Sequence, residues 1–542
     1  MKLEMSVCYR AVMARDARYD GRFFTCVKTT GIYCRPICPA RPPKLQNCTF
    51  VPSAAAAQEA GYRPCLRCHP ESSPDLDAWR GTSATVSRAL KLIESGALDE
   101  SDVEALAARL EIGGRQLRRL FRQHLGAAPI TVAQTRRVLL AKQLIHQTQL
   151  NMTDVALGSG FGSLRRFNET FQRLYGRPPS QLRRRASTST PVSGISLCLP
   201  YRPPYDWEGM LRFLSARAIP GLESVTANAY ARVIEIGGHV GSIHITQAPD
   251  QNALQAVVKF PRWDALPTII ARTRRLFDLG AEPLAIVAAF KSDAVLAPLV
   301  QERPGLRVPG AWDGFEIALR AVLGQQISLK EATRLAGRLV SMLGEPVGEA
   351  TGEPGLTQAF PRPESLSVAA LAGLRVPRAR IECLAGVAAA AAADPGLFEP
   401  HRDLSAAVTR LRQLPGIGEW TAQYIAMRGL GETDAFLAGD VAVQRALAVG
   451  HRRPSTAEVL ERAESWRPWR AYAVLHLWMS PRTAQPAKTT LFAGGNGADV
   501  RKTLAHLGRR RLLPIELVPL EDGRKVRLGV REDVHDRLTI RP

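Results

Sequence analysis

The sequence predicts a multidomain, predominantly α chain with a small zinc domain at its front and an α+β domain in its middle. Three observations carry that expectation. With 542 residues the chain is too long for one core and has room for about three to five domains. Six of its nine cysteines crowd between Cys26 and Cys68, too local for a chain-wide disulfide framework. Helical patterning fills residues 84–185 and 306–481, while the stretch between alternates like a half-buried sheet in YARVIEIGGHVGSIHITQ, with a Gly-Gly turn.

Charge narrows the partner. A formal net charge of +22 calls for a polyanion, and nucleic acid is favoured over membrane because no long apolar span or amphipathic anchor is visible. The first thirty residues carry Arg10, Arg15, Asp16, Arg18 and Asp20 with no apolar signal core, so a cytoplasmic location is expected. In that compartment clustered cysteines suggest a metal.

Residues 1–75 form the first unit. Cys34 and Cys38 are spaced C-x3-C, and Cys65 and Cys68 C-x2-C, a pattern suited to tetrahedral Zn2+. Spacing alone favours a structural zinc knuckle, and Cys8, Cys26 and Cys48 read as packed thiols. The words around the pairs, ARDARYDGRFFTCVKTTGIYCRPICPAR and GYRPCLRCHPE, closely resemble the N-terminal domain of the adaptive-response regulator Ada. That resemblance implies that Cys34 is both a zinc ligand and the acceptor of a methyl group from a DNA phosphotriester, with Cys38, Cys65 and Cys68 completing the metal site. The chemistry is coherent, since a zinc-bound sulfur stays thiolate at neutral pH and a thiolate is the nucleophile a methyl transfer needs. Arg35 and Arg41 are candidate phosphate partners, with simple solvation as the alternative.

Ser72-Ser73-Pro74 reads as a linker. In the segment 80–185 Phe121, Gly126 and Pro129 recur as Phe171, Gly176 and Pro179. Each set follows a short apolar helix, a turn and a basic helix, the order of a helix-turn-helix. The segment resembles the AraC-type double helix-turn-helix domain, which implies promoter DNA as a partner. Arg115, Arg118, Arg119, Arg165 and Arg166 are the candidate readers, although half or more of such arginines ordinarily touch only phosphate or solvent. After the basic and Ser/Thr-rich boundary at 183–191, residues 193–304 form the α+β segment. Its opening YRPPYDWEGML resembles that of 3-methyladenine DNA glycosylase II, AlkA, and no chemistry is assigned to it.

Residues 305–485 hold the stretch on which the chain is organised, LRQLPGIGEWTAQYIAMRGLGETDAFLAGDVAVQRAL. Leu414, Gly416 and Gly418 belong to a tight hairpin that bares amides before a helix, a grip for a phosphate. Trp420 and Tyr424 follow on one helix face, and Asp440 stands alone between Gly439 and an apolar run. The stretch resembles the helix–hairpin–helix DNA glycosylases. FEIALRAVLGQQIS, VPRARIECL and WRPWRAYAVLHLW extend the AlkA likeness over 195–485. By that resemblance Asp440 is the catalytic carboxylate, a helix cap being its structural alternative. Trp420, Tyr424 and Trp478 occupy base-pocket positions, and Gln326 and Met479 stand where AlkA has a Leu wedge and an aromatic. A methylated purine is cationic, so electron-rich rings attract it.

Relatives that also cut the sugar–phosphate backbone carry a Lys where this chain has Trp420, so a monofunctional enzyme is expected. Cys383 is the sole cysteine after Cys198, so no iron–sulfur cluster is expected. The hairpin is a candidate monovalent-cation site. No Pro-Cys-His-Arg stretch occurs, so the Ada C-terminal alkyltransferase is not expected. The resulting reading is a monofunctional 3-methyladenine-type glycosylase fused to a methyl-accepting sensor and a transcription factor. Alkylated and promoter double-stranded DNA are its partners, RNA polymerase is the activator's partner, and the location is the bacterial-type cytoplasm, associated with the nucleoid. The competing reading is a methylation-sensing regulator whose glycosylase half only grips DNA. The tail 486–542 carries a hairpin signal at Glu521-Asp522-Gly523 and no motif.

Overall fold

The computed structural model describes residues 4–73, 84–183, 194–249, 251–450, 452–480 and three short strands at 515–519, 526–530 and 538–539. They fall into two compact units, 1–440 with 454–476, and 441–453 with 477–542. Among the described residues no helix is long and apolar enough to cross a membrane.

The first unit opens with a four-stranded sheet in the order Cys48–Val51, Phe24–Val27, Ile32–Cys34, Arg63–Pro64. Its core is small: Phe24 and Tyr33 meet edge to face at 5.6 Å, and helix Ala54–Glu59 lays Ala54 and Ala57 over them while Ala55 and Ala56 join the helix-turn-helix core. Cys8, Cys26 and Cys48 are buried thiols, as their place outside the metal spacing suggested. Burial pushes Cys8 up to about 11 and Cys26 up to about 12, so both remain protonated and inert.

Two helix-turn-helix units follow, Val103–Arg109 with Gly114–Leu125 and Met152–Gly158 with Leu164–Tyr175. Helix Pro129–Gln147 joins them. The sequence repeat has a structural basis. Phe121 and Phe171 are both fully buried, and Gly126 and Gly176 both end their helices in the left-handed region, at φ 69° and 67°, where a side chain would be strained.

The α+β segment is a five-stranded antiparallel sheet in the order Ile195–Pro200, Ala253–Lys259, His239–Gln247, Ala229–Ile236, Glu223–Val225. The expected turn at Gly237-Gly238 takes positive φ at both residues, the geometry a two-residue hairpin requires. The half-buried pattern holds in the second strand, where Ile243 and Ile245 are buried and His244 and Thr246 are not, but Ala229 to Ile234 in the first are buried without alternation. One face lies on Phe277 and on helix Gly314–Leu323, where Arg232 pairs with Glu316 at 2.7 Å. The other is covered by the Gly/Pro-rich loop after Leu343, whose Thr351 carbonyl accepts from Ser242 and whose Glu353 pairs with Lys259.

Helices Gly314–Leu323, Leu329–Leu343, Arg378–Ala393, Leu404–Arg412, Glu419–Arg428 and Thr456–Ala463 are among the longer helices of this unit's part after residue 305. In the second unit helix Val441–Ala446 follows Asp440 directly in the chain. The tail strands Ile515–Pro519 and Val526–Val530 pair antiparallel, and the turn residues 521–523 of the expected hairpin lie outside the described residues.

Candidate functional site

Two sites are built in the first unit. The first rests on a helix terminus. Helix Leu404–Arg412 ends at Gln413, and the chain reverses through Gly416 at φ 84° to Gly418, which caps helix Glu419–Arg428. Gly416 is required twice over: its φ is left-handed, and a Cβ there would sit 2.7 Å from Cys383 Sγ. Leu414 is half-buried, Gly418 is exposed, and Ile417 between the glycines is buried. Gln325 locks the turn, donating from Nε2 to the Gly416 carbonyl at 3.0 Å and to Thr421 Oγ1 at 3.2 Å. Its neighbour Gln326 is exposed, with φ 59°.

The helix then brings three of the expected residues together. Trp420 and Tyr424 stack with centroids 5.2 Å apart and planes 9° from parallel. Trp420 Nε1 donates to Asp440 Oδ2 at 3.1 Å, so the half-buried carboxylate is oriented against the edge of the aromatic wall. Trp420 remains 36% exposed. Trp478 closes helix Arg470–Trp478 and is half-buried.

Sequence reasoning missed the support behind this wall. Arg428 Nη1 donates to Tyr424 Oη at 2.8 Å, while its other nitrogens donate to the carbonyls of Pro309 and Gly310. Phe213, from the α+β segment to which no chemistry was assigned, lies under Arg217 at 3.6 Å and Arg428 at 5.0 Å. Burial works against ionisation of Tyr424, but Arg428 and Arg217 outweigh it and hold the phenol below its usual range. The i, i+4 spacing of Tyr424 and Arg428 was the signal available. Phe213 and Arg217 carry none in local sequence.

The second site is the cysteine quartet. The sulfurs of Cys34, Cys38, Cys65 and Cys68 all lie within 4.8 Å of one another. Backbone N–H groups of Arg35 and Arg67 donate to Cys68 Sγ at 3.4 Å and Cys65 Sγ at 3.3 Å. Amide donors aimed at sulfur favour thiolate, so the donor set fits zinc. The thiols are mutually dependent. Contact with Cys38 and its neighbours holds Cys34 above its usual range, and the Cys34 contact brings Cys38 down to about 7. Cys34 and Cys38 are half-buried, whereas Cys65 and Cys68 are buried, so the first pair is the accessible one.

Arg35 is not a free phosphate partner. Its guanidinium pairs with Asp20, 2.8 Å from Nε, and donates to the carbonyls of Cys68 and His69, fixing the loop of the second cysteine pair. Arg41 is exposed. Behind the same loop fully buried Lys142 donates to the Cys65 carbonyl at 2.8 Å and pairs with Glu71 at 2.7 Å. His69 and His146 meet Glu71 as well, at 2.9 and 3.7 Å. The quartet is thereby bolted to the helix that joins the two helix-turn-helix units. On the recognition helices Arg115, Arg119 and Arg166 are exposed, while Arg118 pairs with Glu104 and Arg165 with Glu169 across exposed surface.

A four-cysteine module fit for a metal, two basic helix-turn-helix units and a hairpin-led aromatic and carboxylate site define the class of DNA-binding proteins. Residues 7–71 match the metal binding domain of Ada, 106–185 a helix-turn-helix domain, and 196–313 the AlkA N-terminal domain. The chain is 41% identical over 476 residues to the "Probable bifunctional transcriptional activator/DNA repair enzyme AlkA" of Mycobacterium tuberculosis (strain CDC 1551 / Oshkosh), covering 87% of this chain and 95% of that one. It is 36% identical to "DNA-3-methyladenine glycosylase 2" of Escherichia coli (strain K12), over 52% of this chain and 95% of that one. Against "Bifunctional transcriptional activator/DNA repair enzyme AdaA" of Bacillus subtilis (strain 168) it is 29% identical, over 34% and 86%. The chain belongs to the family of bifunctional transcriptional activator and DNA repair AlkA proteins.

Proposed function

We propose that this chain is a DNA repair enzyme and regulator: a monofunctional glycosylase for alkylated purines, fused to a methyl-accepting zinc sensor and a promoter reader. The observation that carries the enzymatic part is the Asp440 carboxylate held by the Trp420 N–H beside the Trp420–Tyr424 stack.

A base reaches this wall only after leaving the DNA stack, and the aromatic faces then hold it. A methylated purine is cationic and already activated. When its bond to sugar C1′ breaks, the electron pair moves to the base nitrogen and neutralises that charge. The sugar becomes oxocarbenium-like, and Asp440 stabilises it until water adds at C1′ and gives up a proton to solvent. The products are the free base and an intact abasic strand, and with Trp420 in the wall no amine stands there to form a Schiff base. Leu414, Gly416 and Gly418 grip the backbone phosphate beside the lesion. Gln326 enters the gap left by the flipped base.

In the sensor Cys34, Cys38, Cys65 and Cys68 would hold Zn2+, whose charge would keep sulfur in thiolate form. Cys34 Sγ attacks the methyl carbon of a phosphotriester. The S–C bond forms, the O–C bond breaks, and its electron pair stays on the departing phosphodiester oxygen. The transfer is stoichiometric because a thioether does not readily return the methyl. The same reading assigns a monovalent cation to the hairpin, RNA polymerase to the activator and the nucleoid as location.

The test is one assay of the full chain with methylated duplex DNA, scoring released bases and protein-bound methyl separately. Methyl uptake without base release would favour the regulator whose second half only binds DNA.

A further inference from the structure

The regulator half reaches into the loop that ends at Asp440. Helix Ala84–Glu94 buries Val86, Ala89, Leu90 and Ile93 in the helix-turn-helix core. Arg88, Lys91 and Ser95 form a different stripe, at i, i+3 and i+7. Arg88 is 5% exposed and grips Glu432 with two bonds, Nε to Oε1 at 2.9 Å and Nη2 to Oε2 at 2.6 Å, while Nη1 donates to the Arg402 carbonyl. Lys91 Nζ donates to the carbonyls of Leu430 and Gly431 at 2.8 and 2.9 Å. Gly431 has φ 64°, and a Cβ there would stand 3.3 Å from that ammonium, so the close approach favours glycine. Thr268 Oγ1 donates to the Ser95 carbonyl.

The gripped segment runs from the end of helix Glu419–Arg428 to Asp440. It is tied inward as well: Glu432 N–H donates to the Ala426 carbonyl at 3.0 Å, and Phe436 N–H to Gln423 Oε1 at 3.1 Å. A cavity of about 560 Å³ lined by Lys91, Arg275, Phe398 and Glu432 adjoins the clamp. The segment is anchored from its own half as well: Leu430, Ala435, Phe436 and Leu437 are buried, and Arg470 Nε meets Asp434 Oδ1 at 2.8 Å. The regulator's bonds therefore act on its first turn, at residues 430–432.

We infer that Arg88 and Lys91 are positioning residues of the glycosylase: the regulator half holds the segment that carries Asp440 in its working place. Nothing in the excision chemistry requires a regulator, yet here the Arg88–Glu432 pair is part of the enzyme's scaffold. The coupling is reciprocal, because an equilibrium shift of the segment on substrate binding is felt by the helix that holds it. The inference rests on the glycosylase reading above.

The experiment compares the full-length wild type with Arg88→Ala, Glu432→Gln, the milder Lys91→Met, and the exchange Arg88→Glu/Glu432→Arg. It measures single-turnover base release from methylated duplex, methyl uptake on Cys34, and backbone hydrogen exchange over 429–440. Arg88→Ala and Glu432→Gln are expected to slow base release about tenfold with little change in DNA affinity, as small misplacements of catalytic groups do. They should also speed exchange in the segment and leave methyl uptake unchanged. Lys91→Met should fall between, and the charge exchange should restore most of the rate. A wild type that releases no base would sink the glycosylase reading itself. Base release by the wild type, with Arg88→Ala and Glu432→Gln equally fast, would overturn the inference alone. So would a loss that the exchange does not restore, or one accompanied by an equal loss of methyl uptake, since either marks general unfolding.

Discussion

At the scale of single residues the excision site separates charge from geometry. Asp440→Asn keeps shape and most hydrogen bonding but removes the negative charge. It should lower single-turnover release of 3-methyladenine a hundredfold or more, about 3 kcal/mol in the barrier, with DNA affinity nearly unchanged. Unaltered release would remove Asp440 from catalysis. Trp420→Phe keeps an aromatic face and deletes the N–H that reaches Asp440 at 3.1 Å. A roughly tenfold slowing is expected, the size of one lost hydrogen bond to a charged group. Wild-type product should be an uncut abasic strand that alkali cleaves, and a borohydride-trapped covalent complex would contradict the reading from Trp420. The Trp420–Tyr424 stack was legible from i, i+4 spacing and the cysteine pairs from ligand spacing, whereas Asp440, 20 positions from Trp420, was pointed to by its isolation and by the resemblance. Phe213 and Arg217 were not, because a ring that meets Tyr424's neighbour Arg428 across such a separation leaves no periodic trace. Arg35 misled for the opposite reason: proximity to Cys34 says nothing of Asp20, which takes up its charge.

At the scale of elements the hairpin and the closing helix each permit a measurement. Gly416→Ala must hold a side chain at φ 84° and place a methyl 2.7 Å from Cys383 Sγ. The backbone part costs about 1–2 kcal/mol and the clash adds to it. Adding Cys383→Ala should therefore recover only the second part, as a double-mutant cycle in chemical denaturation would resolve. His476 is buried, and burial lowers its imidazole to about 4 from 6.5. The folded state keeps it neutral while the unfolded chain takes a proton near pH 6.5. Stability is thus full above that pH and declines as pH falls toward 4, by roughly 3 kcal/mol in all. His476→Leu should flatten this slope in urea melts between about pH 7 and 4.5, and an unchanged slope would show that His476 is not its source. The elements themselves were largely readable. The helix-turn-helix repeat and the Gly237-Gly238 turn declare themselves through residues with fixed backbone demands. The covering of the sheet's second face did not, because the segment after Leu343 reads as plain loop, and its docking rests on the bonds of Ser242 to Thr351 and Lys259 to Glu353.

At the scale of the whole molecule a chain of net charge +22 approaches DNA through its field, and the sensor is the place where that field can change. Four thiolates around one divalent cation carry a double negative charge, which opposes a phosphate backbone. Methylation of Cys34 with the metal retained removes one of those charges. Charges act across about 8 Å at physiological salt and farther when salt is low, so the effect would reach DNA bound within that distance of the quartet. It is not free to dissipate through a loose linker: Lys142 binds the Cys65 carbonyl and Glu71, and Ser53 Oγ donates to the Leu125 carbonyl at 2.6 Å, joining sensor and reader side by side. Methylated protein is therefore expected to bind its promoter more tightly, with the gain largest at about 0.05 M salt and shrinking by about 0.3 M. Cys34→Ala should take up no methyl and show no such gain. Lys142→Met should still accept methyl on Cys34 while the gain in promoter affinity diminishes, since the joint that aligns the two modules is broken. Titration of promoter DNA before and after methyl transfer, with zinc content followed in parallel, checks all three. Equal affinities of the two wild-type forms, with zinc retained and methyl on Cys34, would mean that charge at the sensor does not set binding.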